Sequence, residues 1–461
     1  MHSLSIFGTS SDAGKSTLSF AITYLLHKRG LKVAPFKAQN VSNNSQVCDK
    51  GGEIAQPQYF AAEAIGLKTS SDMNPILLKS GGKSRAHLII NGYSVGERDV
   101  LEYYSDIKRL QPEVKSAFLR LQNNYDCIVA EGAGSPVELN LMEKDLSNIY
   151  IAKTFNTKII LVADIERGGV FASVYGVYKL LPKALRKNVI GVIINKFRGD
   201  IRLFNDGVKI IQERFGIKVL GVVPFKALNL GFEDAQSMMG YTQKSSKNII
   251  QVGVIKLPHI SNFTDFEPLI ADEEIALSFI TTLKEAKMCD MLVIPGSKRV
   301  VDDLLWLKKR GFKKLFLAKK IPLIGICGGY EMMFDTIIDD KNIESLHVKS
   351  KALGLFRGDV LFKKRKIVKK GRYKIFDSEI EGYEIHNAIT KKIAKRKENL
   401  YGTFVHGLFD SDSFRKKIFT DINPAYRGYN FKRYKKKSIA EFAKHIDEHI
   451  DMSTIIKELN G

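Results

Sequence analysis

Short, almost wholly apolar runs separated by helix-length amphipathic segments set the rhythm of this chain. In the first half the runs are KVAPF (32–36), CIVA (127–130), KIILVADI (158–165), VIGVIINK (189–196) and VLGVVPF (219–225). A strand that is apolar on both faces is covered on both faces, so this spacing predicts a parallel α/β sheet flanked by helices. Leu18, Ala21, Ile22, Leu25 and Leu26 recur at helical spacing, and Gly30 stands where that helix ends. The polar stretch YTQKSSKN (241–248) breaks the pattern, and strands restart in IIQVGVIKLP (249–258), MLVIPG (291–296) and IPLIGIC (321–327). The expected organisation is therefore a domain over 1–245, a second over 249–430, and a basic segment with one or two terminal helices over 431–461.

Two of the strands run into segments that carry chemistry. The first strand feeds GTSSDAGKST (8–17), a Gly-rich turn opening an amphipathic helix, which aims backbone N–H groups and a helix N-terminus at phosphate oxygens. The spacing from Gly8 to Gly14 is one residue longer than in the usual phosphate loop, so Thr9 takes the place of the first glycine. Thr9, Asp12, Gly14, Lys15, Ser16 and Thr17 are the expected nucleotide contacts, with Lys15 and Ser16 placed for charge and for Mg2+. Glu131, at the carboxyl end of CIVA, is a candidate Mg2+ or metal-water ligand beside Ser16, because ligands of open α/β folds gather at that sheet edge. The alternative for Glu131 is a helix N-terminal carboxylate. Asn195, closing VIGVIINK, is a candidate reader of the adenine edge, with the Lys196 stem on the ring. DIERGGVFASV (164–174) and FKAQNVSNNS (36–45) are dense in polar groups around small turns, as ligand-binding segments are.

The second segment, LIGICGGY (323–330), has the form of a nucleophile elbow, with Gly325 and Gly329 flanking Cys327 so that a tight strand-to-helix turn can present the sulfur. A thiol becomes nucleophilic where a helix N-terminus and an imidazole stabilise the thiolate. His406, ending the strand-like LYGTFVH (400–406), is the expected partner, with His386 in GYEIHN as the rival. Backbone N–H groups near Gly296 and Gly328 are the expected oxyanion site.

Composition narrows these readings. Hydrophobic residues make up 44% and charged residues 26% of the 461, and no apolar run approaches the ~20 residues of a membrane helix. With a strand already feeding the phosphate loop at the N-terminus, no signal peptide and a cytoplasmic location are expected. The four cysteines (Cys48, Cys127, Cys289, Cys327) lack metal-like spacing, which predicts reduced thiols and no zinc. An excess of 72 Lys+Arg over 50 Asp+Glu gives a net charge of +22. The basic stretches LFKKRKIVKKGRYK (361–374) and FKRYKKKS (431–438) hold few interleaved aromatic residues, so they read as solvated surface, with steering of polyanionic small substrates and weak nucleic-acid contact as the alternatives.

The order of phosphate loop, EGAGSP, DIERGGVFA, INKFRGD, PGSK, GICGGY, GYEIH and GTFVHGLFD resembles the family of cobyric acid synthases, the glutamine-hydrolysing amidases of cobalamin assembly, across nearly the whole chain. PFKAQNVSNNS, MNPILLKS, INKFRGD and ISNFTDF are long matches that favour this family over the related a,c-diamide synthases. The resemblance implies an N-terminal P-loop domain similar to dethiobiotin synthetase and a C-terminal, flavodoxin-like class I glutamine amidotransferase domain. It also implies ATP with Mg2+, glutamine as nitrogen donor, and adenosylcobyrinic acid a,c-diamide as the corrinoid amidated at its b, d, e and g carboxylates. No nucleic-acid or membrane partner is implied, and the oligomeric state is left open. A competing reading, a basic partitioning-type ATPase that binds DNA, is opposed by Cys327 at an elbow with His406 available.

The chain departs from the family pattern at three places. Typical class I amidotransferases carry Glu two residues after the catalytic His, where this chain has Leu408; either a Cys–His dyad suffices or a carboxylate such as Glu384 substitutes. Pro57 in GGEIAQPQYFAAEA and Arg299-Val300 after PGSK are the others.

Overall fold

The computed structural model describes residues 1–82, 85–231, 247–344 and 347–461. The chain divides into two compact units: Met1–Val41 with Glu53–Leu228 and Lys436–Gly461, and Ser42–Gly52 with Asn229–Lys435. These differ from the continuous spans read from the sequence in two ways. The excursion Ser42–Gly52 packs into the second unit, where Val47 joins a small apolar cluster with Tyr383 and Ile385. The terminal helices, expected as a separate segment, return from Lys436 onward to the first unit, with His445 Nε2 on Pro224 O at 2.9 Å and Asp451 N donating to Leu220 O at 2.7 Å. The expected boundary at 245 lies outside the described residues. Among the described residues no helix is long and apolar enough to cross a membrane.

The first unit is built on six strands: β1 Leu4–Gly8, β2 Val33–Phe36, β3 Cys127–Glu131, β4 Lys158–Asp164, β5 Val189–Phe197 and β6 Val219–Pro224. They pair in the order β6-β5-β4-β1-β3-β2, all parallel. β1 lies between β4 and β3 and is buried throughout, which is why LSIFG carries no solvated face. The helix after the phosphate loop, α1 Lys15–Lys28, closes on Gly30 at φ 88°, where Gly30 N donates to His27 O and Leu31 N to Leu26 O. A feature absent from the sequence reading is an antiparallel sheet of Ile76–Gly82, Arg85–Ile90 and Tyr93–Asp99 with Gln39–Val41 alongside. It is anchored by a fully buried ion pair between Lys79 and Glu53.

The second unit repeats the logic. β7 Ile250–Ile255, β8 Ile275–Ile280, β9 Met291–Ile294, β10 Leu323–Ile326, β11 Ala394–Lys397 and β12 Leu400–Thr403 pair in the order β8-β7-β9-β10-β12-β11, with only β11 antiparallel. Beside it a long hairpin, Asp359–Ile375 with Ser378–Ile389, turns through Phe376 and Asp377 at φ 51° and 59°, the left-handed pair that a two-residue hairpin turn requires. Lys417 Nζ reaches Asp377 at 2.7 Å and holds that turn.

Candidate active sites

In the first unit the phosphate loop is held from both ends. Thr9 N donates to Val162 O of β4 at 2.8 Å, and Asn195 Nδ2, at the end of β5, donates to Ala13 O at 2.9 Å. Gly14 sits at φ 95°, and a Cβ there would lie 2.1 Å from that Asn195 amide, so both conformation and packing demand glycine. Lys15 is buried and folds back over Gly8 with Nζ 3.1 Å from Ser10 O; a Cβ on Gly8 would lie 2.8 Å from both. Asp12, at φ 57°, is exposed: its carboxylate meets Arg167 at 3.3 Å and its carbonyl accepts from Lys196 Nζ. Thr17 is half-buried in the first turn of α1.

Glu131 ends β3 one strand from the loop, in register with Ile6. Its Oε1 accepts from Ser16 Oγ at 2.7 Å and from Lys37 Nζ at 2.8 Å, and its Oε2 from Gln58 Nε2 at 3.2 Å. The carboxylate is thus a hub at the sheet edge, not a helix N-terminal group. Ser16 and Glu131 are adjacent hard oxygen donors, and Mg2+ typically takes one or two such protein ligands, with phosphates and water completing its shell. The donor set therefore fits the ion. Lys37 and Gln58 were not singled out from the sequence, although Lys37 lies inside FKAQNVSNNS. Pro57, the unusual residue, stands in the first turn of helix Gln56–Ala64, where a missing N–H costs nothing.

In the second unit Cys327 joins β10 to the short helix α2 Gly328–Met332, and its φ of 51° with ψ of −113° is a strained conformation for a residue with a Cβ. Two glycines make the turn possible. A Cβ on Gly329 would fall 2.0 Å from Ile294 O, and one on Gly325 would fall 2.5 Å from Met333 Sδ and 2.9 Å from the Gly329 carbonyl. The sulfur is enclosed rather than presented to solvent: Cys327 is 7% exposed, and Sγ lies 3.6 Å from Ile385 O. Burial, and secondarily Glu331 and Glu344, push its thiol well above the ordinary value, while the Gly328 N–H directed at the sulfur works the other way. Burial likewise raises Glu344 to about 7 and draws Lys366 down to about 8, the latter opposed by Cys327 and Glu344. Among the described residues, Glu331 Oε2 and Asn262 Oδ1 are buried atoms without a hydrogen-bond partner.

His406 follows β12 and is paired through its backbone with Tyr383 of the hairpin, whose ring stacks on the imidazole at 4.9 Å between centroids and 15° between planes. His406 Nδ1 lies 2.7 Å from Asp265 Oδ2, and Asp265 Oδ1 accepts from Gly407 N at 2.8 Å. Asp265, in the 3-10 turn Phe263–Phe266, is buried, as is His406. Glu384, weighed from the sequence as the group that orients His406, is engaged elsewhere: its Oε2 lies 3.2 Å from His386 Nε2. The same contact, with His386 Nδ1 on Ala388 O at 2.7 Å and the ring stacked on Phe404 at 3.9 Å, ties up both nitrogens of the rival histidine. Gly296 packs beside the chosen one, since a Cβ there would lie 3.5 Å from His406 Cε1, and Gly328 packs against Ser297 N. Arg299 precedes helix Val300–Lys309, its N–H on Ser297 Oγ at 3.0 Å and its guanidinium on Asp302 at 2.6 Å.

Comparisons with known proteins match a different family to each half of the chain. Residues 4–230 match the CobQ/CobB/MinD/ParA nucleotide binding domain, and residues 251–414 the CobB/CobQ-like glutamine amidotransferase domain. A cobyric acid synthase of Acinetobacter baylyi is 50% identical over 462 residues, covering 100% of this chain and 99% of its own. Those of Clostridium tetani and Clostridium perfringens are 35% and 36% identical, each covering 98% of both chains. With that similarity running from end to end through both the phosphate loop and the cysteine elbow, the chain belongs to the cobyric acid synthase family of glutamine-hydrolysing amidoligases.

Proposed function

We propose that the chain converts the b, d, e and g carboxylates of adenosylcobyrinic acid a,c-diamide to carboxamides, with ATP as the activating substrate and glutamine as the nitrogen source. The observation that carries the reading is a cysteine at φ 51° on a strand-to-helix turn in the same polypeptide as a Ser16–Glu131 pair on a phosphate loop. A carboxylate oxygen, itself a poor leaving group, attacks the γ-phosphorus of ATP and displaces ADP, and the resulting acyl phosphate can then expel phosphate. Lys15 and the loop N–H groups bind the transferring phosphoryl group and spread its charge. Mg2+ held by Ser16 and Glu131 would neutralise developing charge on the phosphates. Lys37 and Gln58 keep the Glu131 carboxylate in one orientation. With Nδ2 committed to Ala13 O, the Oδ1 of Asn195 is the atom to accept from the adenine amino group.

In the other half-reaction the Cys327 thiol, kept protonated by burial, passes its proton to His406 as sulfur bonds to the glutamine side-chain carbonyl carbon. The carbonyl oxygen meets N–H groups at Gly296 and Gly328. The C–N bond then breaks and the imidazolium protonates the departing nitrogen, releasing ammonia. Water, deprotonated by the same imidazole, attacks the thioester, frees glutamate and restores the thiol. Ammonia attacks the acyl phosphate, expelling phosphate and leaving the amide. The basic surface steers a polycarboxylate and a nucleotide, both anionic.

Mass spectrometry of products from the purified protein with the a,c-diamide, ATP and glutamine tests the reading. A ladder of one-dalton losses ending at the fourth amidation is expected. No carboxamide product, or ATP hydrolysis that responds to DNA and not to the corrinoid, would overturn it.

A further inference from the structure

We infer that Asp265 is the positioning residue for His406, taking the part of the Glu that the chain lacks two residues beyond it. The inference rests on the proposal that Cys327 and His406 split glutamine, and it supplies what a dyad lacks. Leu408 is apolar and buried and offers no acceptor to an imidazole. Asp265 offers one from 141 residues upstream, and both of its oxygens are fixed: Oδ2 lies 2.7 Å from His406 Nδ1 and Oδ1 accepts from the neighbouring Gly407 N at 2.8 Å. That second bond clamps the carboxylate against the histidine's own backbone, so ring and carboxylate keep their mutual angle. An acceptor-only carboxylate on Nδ1 requires the proton there, which leaves Nε2 with its lone pair as the base that receives the thiol proton. Asn262 Nδ2, 3.5 Å from Nε2, marks the side on which the lone pair stands. When Nε2 takes the proton of Cys327, the imidazolium keeps Nδ1–H on Asp265 and the carboxylate stays ionised, so the only proton that moves is the one later delivered to ammonia. Tyr383, stacked on the ring, blocks rotation out of that plane.

The test is Asp265→Asn in the full-length protein. The amide can still accept from Gly407 N, but its NH2 group faces Nδ1 and selects the opposite tautomer, with Nε2 protonated and unable to act as base. Glutamine-dependent kcat should fall by roughly 10³–10⁴-fold, as when a buried triad carboxylate is neutralised, with KM for glutamine little changed. The rate of Cys327 alkylation by iodoacetamide should fall in parallel, while amidation from high ammonium proceeds as in the unsubstituted protein. A variant that keeps wild-type glutamine turnover overturns the inference. So does one that loses ammonium-driven amidation as well, because Asp265 then serves to hold the fold. His406→Asn, run alongside, separates the two readings: if it too keeps glutamine turnover, the role of His406 itself fails.

Discussion

Gly329→Ala adds a single methyl group where two backbones of the second unit approach closely. The new carbon would lie 2.0 Å from Ile294 O, 2.7 Å from Ile294 C and 2.9 Å from Pro295 O, all main-chain atoms at the end of β9 that no rotamer change can move aside. Reaching an ordinary contact requires α2 and β9 to part by about 1 Å or more, and overpacking of this kind costs about 1–3 kcal/mol. At ~2–4 °C per kcal/mol for a unit of this size, the upper end of that range lowers the melting temperature by roughly 6–12 °C. The catalytic effect is expected to be larger. Cys327 lies two residues before Gly329 and Gly296 two residues after Ile294, so the shift separates the proposed nucleophile from the proposed oxyanion site, and a displacement near 1 Å costs on the order of 10²-fold. Glutamine-dependent and ammonium-dependent amidation, measured together with a calorimetric melt, separate these effects: only the first rate should collapse. Gly371→Ala is the control, since its Cβ would meet nothing closer than the Tyr373 ring at 3.8 Å. If Gly329→Ala matches Gly371→Ala in both melting and glutamine turnover, the account of the elbow is wrong.

Cys327→Ser should abolish glutamine use and leave ammonium-driven amidation, read as product formed from each nitrogen source. Lys15→Ala should lower both routes by roughly 10²–10³-fold, the usual loss when one donor to a transferring group is removed, measured as ADP release. Lys37→Met leaves Glu131 ionised in a buried setting and should cost about 3–5 kcal/mol in denaturant unfolding of the first unit, partly recovered in the double variant with Glu131→Gln. Glu344 Oε2 is shielded from solvent even though the residue is partly exposed, and burial raises the folded carboxyl to about 7. Because the folded state then holds a proton that the unfolded chain releases near ~4.3, this group's contribution to stability falls as pH rises through that window. Glu344→Gln should flatten the melting temperature over that range, and an unchanged slope would count against the assignment.

The phosphate loop and the elbow were legible because each is a local device. Gly14-Lys15-Ser16 and Gly325 through Gly329 do their work within one strand, one turn and one helix, and the backbone conformations they need are written in the glycines themselves. The alternating apolar runs were equally plain, since a strand covered on both faces has no polar side to hide. Lys37, Gln58 and Asp265 were not legible as partners. Each meets its target across a sequence gap of 73 to 141 residues, and only Lys37 lies in a segment whose polar content reads as ligand-like. The alternative that Glu384 faces His406 fails for the same reason: it is near His406 through strand pairing with the hairpin, yet its side chain turns to His386.

By itself the sequence determined the two parallel-sheet units, the glycine-flanked cysteine turn and the phosphate loop, because periodicity and short motifs are properties of neighbouring residues. Tertiary structure alone decided which carboxylate faces His406, why Glu131 is held by a lysine and a glutamine, and where the chain's ends and the Ser42–Gly52 excursion belong. Those are relations between residues far apart in the chain, fixed by the requirement that buried polar groups find partners and by the way strands are ordered in the sheets.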